Sequence, residues 1–155
     1  MAQTTSQVSL GCGYIAISTD GAAWTDISGS TQSLEETTQT RITGEVYTLD
    51  GDAALPCGGK IEPTEITVNI VYTETDAEAY EIVRLIFEGS TSCGTGDIYL
   101  RWAPRGNSAG NEQITTGAGT LVSFTYPPMN ASEGGCILTG FTVRVGSLTT
   151  SIIAS

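Results

Sequence analysis

The strictest constraint in this sequence is the alternation of polar and apolar residues over residues 65–73. The apolar positions are Ile66, Val68, Ile70 and Tyr72, and the polar positions are Glu65, Thr67 and Asn69. Because successive side chains of a strand point to opposite faces, this segment has one apolar face and one polar face. The pattern predicts a strand of a sheet with one face on a core and the other in water.

A second strand region covers residues 33–49, and we expect it to pair with residues 61–73 as a hairpin of two long strands. Its apolar face holds Ile42 and Val46, and its polar face holds Arg41, Thr43 and Glu45. Residues 50–60 lie between the two strands and are too many for a tight turn. They include an apolar stretch, Ala53–Pro56, which a solvent loop does not need. The sequence therefore predicts a long loop whose tip docks on a neighbour.

One helix is predicted after these strands. The segment Thr75-Asp76-Ala77-Glu78 has the spacing of a capping box, in which the threonine caps the helix and a glutamate follows three residues later. Apolar residues then recur at helical spacing, and Gly89 has the position of a C-terminal glycine. The apolar positions are Ala79, Ile82, Val83, Ile86 and Phe87. We expect this face to cover one sheet.

The rest of the chain has the pattern of short strands separated by glycine- and proline-rich turns. The predicted strands are residues 13–18, 23–27, 97–103, 113–116, 120–126 and 136–145. We expect residues 1–10 to form an N-terminal arm and residues 147–155 to form a C-terminal strand or arm. The predicted fold is mainly β: a β-sandwich or barrel with one packed α-helix, in a single domain over residues 1–155.

Charge and composition narrow the classes of function. The chain has 17 acidic and 6 basic residues, a net charge of −11, and its bases are scattered singly. Proteins that grip nucleic acid need clustered Lys and Arg, so tight binding of DNA or RNA is not expected. The chain has no histidine, the commonest general base and metal ligand. A serine or cysteine nucleophile would therefore have no histidine to activate it, and the spacings of a P-loop and an EF-hand are missing. We therefore expect no enzyme activity, no cofactor and no metal.

The four cysteines, Cys12, Cys57, Cys93 and Cys136, contain no CxxC pair. They are expected to be free structural thiols, or two disulfides if the mature protein resides outside the cell. The N-terminal segment has neither the basic nor the apolar part of a signal peptide. The longest apolar run is far shorter than a membrane span, so we expect no membrane insertion and assembly in the cytoplasm.

The order of elements resembles the major tail tube proteins of long-tailed bacteriophages. A hairpin of two long strands precedes one helix, and a closing block of strands ends the chain. The stretches that carry the resemblance are residues 66–89, which end in YTETDAEAYEIVRLIFEG, residues 99–106, YLRWAPRG, and residues 141–149, FTVRVGSLT. The similarity covers nearly the whole chain as an order of elements, without one diagnostic motif.

The resemblance implies a structural virion protein that forms rings, typically of six copies, stacked into a tube through which DNA passes without specific binding. The long strands would line an acidic lumen, and the loop between them would reach the adjacent ring. Lumen candidates are Glu35, Arg41, Glu45, Glu65, Thr67 and Asn69, with Glu36 and Glu62 as substitutes if the register differs by one. Ring-stacking candidates are Asp50, Asp52, Leu55, Pro56 and Lys60. Implied partners are further copies of the chain and the tape-measure, terminator and tip proteins of a tail assembled in the host cytoplasm.

Three alternatives remain open at the level of sequence. The first is a tube subunit of a related contractile tail or secretion system. The second is a ligand- or carbohydrate-binding β-sandwich on a virion surface, in which Trp24 and Trp102 would be binding platforms. The third is a carboxylate-based hydrolase that uses an acidic pair such as Glu35 and Glu36. The absence of histidine and of a convergent polar set makes this third alternative the weakest.

Overall fold

The structure is a computed structural model that describes Thr4 and residues 7–89, 98–132 and 134–155. The described strands are β1 (Tyr14–Ser18), β2 (Thr25–Asp26), β3 (Thr31–Leu34), β4 (Arg41–Val46), β5 (Leu55–Ile61), β6 (Thr64–Val71), β7 (Tyr99–Ala103), β8 (Glu112–Thr116), β9 (Gly119–Thr125), β10 (Leu138–Val145) and β11 (Leu148–Ile152). The helices among these described residues are a 3₁₀ turn (Ser28–Ser30) and one α-helix, α1 (Ala79–Gly89).

Two antiparallel sheets enclose the core, and a third, two-stranded sheet extends one of them. The five-stranded sheet has the order β11-β8-β7-β1-β2, the four-stranded sheet has the order β3-β6-β10-β9, and β4 pairs with β5 alone. The largest fully buried side chains come from both main sheets and α1: Phe141, Ile17, Ile27, Ile66, Ile70, Ile98, Leu100, Val68, Val83, Val143 and Val145. The predicted class, mainly β with one packed helix, is confirmed.

Strand β6 has the predicted two-faced character. Its apolar residues Ile66, Val68 and Ile70 are completely buried, while Glu65 is exposed and Thr67 is half-buried. It pairs with β10 along its whole length and with β3 on its other side. The alternation predicts this strand correctly because contacts within the single chain bury its apolar face and leave its polar face at least partly exposed.

The prediction of a long loop over residues 50–60 is wrong for the second half of that segment. Residues Leu55–Ile61 form β5, which pairs with β4 from Arg41↔Ile61 to Val46↔Leu55, so the connecting segment is residues 47–54. We call β4 and β5 the distal hairpin and residues 47–54 its tip. Pro56 and Gly58 lower the strand propensity of β5, which explains why the sequence did not reveal it.

The distal hairpin continues the pairing of β3 with β6. Leu34 lies opposite Val68, and the two ladders are joined where the Glu62 amide donates to the Thr40 carbonyl at 2.9 Å. The Thr64 hydroxyl donates to the Thr38 carbonyl at 2.7 Å in the same region. The two long strand regions therefore do pair, but in two segments. Residues 41–46 pair with residues 55–61, which overlap the predicted range 61–73 only at Ile61.

Helix α1 buries the predicted face, but its start differs from the prediction. Glu78, not Thr75, is the residue before the helix, and its carbonyl accepts the Ile82 amide at 3.1 Å. The proposed capping-box segment instead forms a turn, with the Glu78 amide on the Thr75 carbonyl at 3.3 Å and Ala77 at φ 68°. Gly89 is the last residue of the helix rather than the residue after it.

The two predicted terminal segments differ from each other in the structure. Residues 148–152 form β11, which pairs with β8, so the C-terminal segment is a strand rather than a free arm. Residues 7–10 are exposed and lie in neither a helix nor a strand. The predicted strand at residues 97–103 is observed over Tyr99–Ala103, while Asp97 and Cys93 lie outside the described residues.

We predict that Gly119→Ala destabilises the fold by about 1–3 kcal/mol, the usual cost of overpacking. A β-carbon at Gly119 would lie 2.6 Å from Cγ1 of Val143 and 2.8 Å from Cγ1 of Val145, both of which are buried. Urea unfolding of the monomer measures the effect. Gly44→Ala is the matched control, because a β-carbon added at Gly44 would meet nothing within 4 Å and its strand is exposed. Equal midpoints for the two variants would contradict the prediction.

Candidate assembly surfaces

Most of the outer side of the four-stranded sheet is a polar surface, which we call the polar face. It consists of residues whose strand neighbours point into the core: Ser33, Glu65, Thr67, Asn69, Thr120, Ser123, Thr125, Thr142 and Arg144, with Glu35 just beyond the end of β3. Short hydroxyl and amide side chains dominate it. One end of the same side is apolar, because Val71 and Leu138 pair across β6 and β10 next to Asn69, and Leu138 is 42% exposed. The rest of the surface offers hydrogen-bonding groups to anything that passes over it.

Side-chain hydrogen bonds cross the strands of the polar face. The hydroxyls of Thr67 and Thr142 lie 3.0 Å apart, and the Asn69 amide donates to Ser33 Oγ at 3.0 Å. Asn69 also donates to the Glu35 carboxylate. These bonds hold the polar groups of β3, β6 and β10 in fixed relative positions. The predicted lumen residues Glu35, Thr67 and Asn69 are thereby brought together.

The predicted lumen residue Glu65 lies on the same face beside Arg144, with 3.9 Å between Oε1 of Glu65 and a guanidinium nitrogen. Both side chains are more than half exposed, so the pair contributes little to stability. Arg144 was not among the predicted lumen residues. The alternation of residues 141–145 gives its face, but its place opposite Glu65 depends on the β6–β10 register.

Arg41 and Glu45 lie apart from this group, on β4 of the distal hairpin. The Arg41 guanidinium donates to the Gly59 carbonyl at 2.8 Å, and Glu45 lies opposite Pro56. Arg41 therefore has a partner on its own hairpin. The six predicted lumen residues fall on two sheets, four on the polar face and two on the distal hairpin.

The distal hairpin has one apolar face that no other described part of the chain covers. Ile42 is 55% exposed, Val46 is 48% exposed, and Leu55, directly opposite Val46, is 53% exposed. Cys57 is exposed on the same face, opposite Gly44. Ile42 and Val46 do form one apolar face, as the sequence indicates, but this face does not meet the core of its own chain. Exposed apolar residues on both strands of a ribbon are typical of a contact with another chain.

The predicted stacking residues divide between the tip and β5. Asp50 and Asp52 lie in the exposed tip, where Tyr47 and Leu49 are also exposed. Leu55, Pro56 and Lys60 lie on β5 instead of in a loop. Tyr47 and Leu49 were not singled out from the sequence, although two large apolar residues next to the DGD segment are the signal that marks them.

A groove of about 500 Å³ opens where β3 of one sheet meets β1 and β7 of the other. Its larger side chains are Leu10, Tyr14, Leu34 and Trp102. A second open hollow of about 470 Å³ adjoins it, since both are lined by Gly11 and Cys12, and Arg105 lies on its wall.

The two tryptophans do not form a common platform. Arg101 stacks over Trp24, with its guanidinium carbon 4.0 Å from the ring centroid. Because Arg101 and Trp102 are consecutive residues of β7, their side chains point to opposite faces of the sheet. Trp102 packs against the core and lines the groove. This separation counts against a carbohydrate site built on both rings.

The displaced pKa values belong to structural groups. Hydrogen bonds from the amides of Ala22 and Ala23 lower the pKa of Asp20, which closes a turn, and burial raises the pKa of Tyr80 in the core. Among the described residues there is no cluster of three or more potential metal ligands. No helix in the described part of the chain is long and apolar enough to cross a membrane.

The fold matches that of chains in phage-tail-like particles. A chain of the anti-feeding prophage baseplate has a TM-score of 0.72 at 9% identity, covering 97% of this chain and 99% of that one. A chain of the sheath/tube terminator of an extracellular contractile injection system has a TM-score of 0.71 at 10% identity, covering 96% and 99%. A chain of a gene transfer agent tail has a TM-score of 0.62 at 14% identity, covering 99% and 100%.

No protein-family model and no curated protein matches the sequence. At 9–14% identity the structural likeness is one of fold, and it extends over nearly the whole of each chain. The chain therefore has the fold found in chains of contractile injection systems, the anti-feeding prophage and gene transfer agents.

Proposed function

We propose that this chain is the repeating structural subunit of a tail tube, assembled as stacked rings of six copies, and that it has no enzymatic role. The observation that carries the proposal is the uncovered apolar face of the distal hairpin, with Val46 and Leu55 about half exposed on paired strands. A two-stranded ribbon on its own is only marginally stable in water. Contacts with neighbouring copies would cover this apolar face and stabilise the hairpin.

The fold and the symmetry of a structural neighbour support the same proposal. The gene transfer agent tail was solved with C6 symmetry, which motivates the six-fold ring proposed for this chain. The resemblance in sequence is to proteins of long-tailed bacteriophages. Two other proteins with the same fold come from extracellular contractile injection systems. We propose the tail of a virion or related particle, assembled in the host cytoplasm, with tape-measure, terminator and tip proteins as partners.

The polar face and the polar side of the distal hairpin are proposed to line the bore. The candidates are Glu35, Arg41, Glu45, Glu65, Thr67 and Asn69. Glu65 has one ion-pair partner among the described residues, the exposed Arg144 opposite it, and Thr67 and Thr142 lie next along the same two strands. A bore of this kind holds no cluster of cations, so a phosphate backbone would slide past without lasting contacts.

Assembly is the direct test of the proposed function. Purified protein at increasing concentration should form rings or tubes that are visible by negative-stain electron microscopy and that sediment as polymers. Strictly monomeric behaviour at every concentration, and absence of the chain from the tail of native particles, would overturn the proposal. A single-particle average of the rings measures the number of copies directly and tests the six-fold arrangement separately.

We predict that Glu65→Lys particles assemble normally but release DNA more slowly, because a second cation beside Arg144 gives phosphate a partner in the bore. Release is measured as the rate of DNA exit from triggered particles at two salt concentrations. The slowing should shrink at high salt, since screening weakens phosphate contacts. Glu112→Lys, the same charge change at an exposed position of β8, is the control. Wild-type release by both variants would place Glu65 outside the bore.

A further inference from the structure

The tip of the distal hairpin combines apolar exposure with negative charge. Tyr47 is 71% exposed and Leu49 is fully exposed, and Asp50 and Asp52 follow directly. Residues 47–53 are all exposed, so the tip does not sit in a hollow of its own chain. Two large apolar side chains held in water on a short turn are costly unless another surface covers them.

The groove between the sheets has the complementary properties. Its wall contains the apolar surfaces of Leu34 and Trp102, and the adjoining hollow contains Arg105. Arg105 forms no ion pair with another described residue, so its charge is available. Hollows of about 300–1,000 Å³ accommodate molecules of drug size, so the groove of about 500 Å³ has room for two side chains.

We propose that the tip of one copy docks in the groove of another copy of the same chain. Tyr47 and Leu49 would be covered by Leu34 and Trp102, and Asp50 and Asp52 would lie near Arg105. The inference rests on the proposed tube function and names the surface that receives the tip. Opposite charge at the two surfaces favours this pairing, whereas contact of two tips would bring four carboxylates together.

The proposed contact has a consequence for growth of the tube. The tip and the groove are different surfaces, so the contact is heterologous, and two docked copies together still have one free tip and one free groove. Contacts of this type continue from copy to copy rather than closing in a dimer. The same pair of surfaces can therefore join successive rings along the tube.

Covalent cross-linking tests the contact, because Cys12 is exposed on the groove wall. Leu49→Cys is made in a background in which Cys57, Cys93 and Cys136 are changed to serine, and assembled protein is treated with a short bismaleimide. We expect a ladder of covalent oligomers in denaturing gels and a peptide that links position 49 to Cys12. Leu85→Cys, a change at another exposed leucine, on α1, should give no ladder, and Cys12→Ser should abolish it.

Charge reversal provides a second readout that needs no new cysteine. Arg105→Glu should raise the critical concentration for assembly about tenfold, and Asp50→Lys with Asp52→Lys should restore it to within about twofold. Tubes that form without a link between positions 49 and 12, or without rescue, would overturn the docking inference and leave the tube function standing. Failure of the unmodified chain to assemble would overturn both.

Discussion

Charging the apolar face of the distal hairpin is expected to abolish polymerisation and to leave the folded monomer intact. The variant is Val46→Asp with Leu55→Asp, two cross-strand neighbours that are 48% and 53% exposed in the single chain. In an assembled tube both carboxylates would be buried without partners, at a cost of about 3–5 kcal/mol per contact. That corresponds to a loss of about 10²–10³-fold or more in association. Sedimentation and electron microscopy measure the polymer, and circular dichroism measures the fold.

The matched control is Thr43→Asp, which places one new carboxylate on the opposite face of the same hairpin. Thr43 lies across from Gly58 on the side of Glu45, which is the side assigned to the bore. A carboxylate there stays hydrated, so polymers should still form. Polymers formed equally well by the double variant would show that the apolar face is not buried between copies. Loss of the monomer fold in the double variant would contradict the exposure of these residues in the single chain.

The parts of the fold that could be predicted from sequence are those whose environment lies within the chain. Strand β6 alternates cleanly because Ile66, Val68 and Ile70 face the core and their neighbours face water. Helix α1 was predicted for the same reason, since its apolar stripe meets β6 and β9. In both elements burial in one chain produces a period that a single sequence displays.

The distal hairpin could not be predicted correctly, because its apolar face has no cover within the described chain. The alternation of Ile42 and Val46 in β4 is the usual mark of a core strand, yet both are exposed. Strand β5 contains Pro56 and two glycines, which sequence rules assign to loops. Pairing with β4 overrides that local preference. An apolar pattern shows that a face is buried, but it does not show which chain buries it.

The β6 residues of the polar face could be predicted from the sequence, but Arg144 on β10 could not. The parity of β6 correctly placed Glu65, Thr67 and Asn69 on one side, because parity requires only that the segment is a strand. The position of Arg144 could not be predicted from parity alone. It lies beside Glu65 because of the register of β10 against β6, and these two strands are far apart in sequence. Long-range register is set by the packing of core side chains such as Phe141 and Val143, and a single sequence does not display it.

Phe141 has the largest fully buried side chain in the described part of the chain, and it lies in the middle of this register. It is 1% exposed, lies opposite Val68 on one side and Phe124 on the other, and belongs to the core shared by the two sheets and α1. Phe124 in turn contacts the rings of Tyr80 and Phe87 on the helix, at 5.3 and 5.8 Å between centroids. Removal of the Phe141 ring would leave a cavity in the middle of this layer, and the surrounding strands can close it only in part.

Phe141→Ala is therefore expected to cost about 3–5 kcal/mol and to lower the melting temperature by about 6–20 °C. The measurement belongs in the Val46→Asp, Leu55→Asp background, because polymerisation would otherwise add stability by mass action. Phe141→Leu should lose less, since most of the volume stays filled. Thr142→Ala, at the next residue but on the polar face, should cost about 1 kcal/mol through the lost contact with Thr67. Equal losses at positions 141 and 142 would contradict the two-faced packing of β10, and with it the assignment of Arg144 and Glu65 to one polar face.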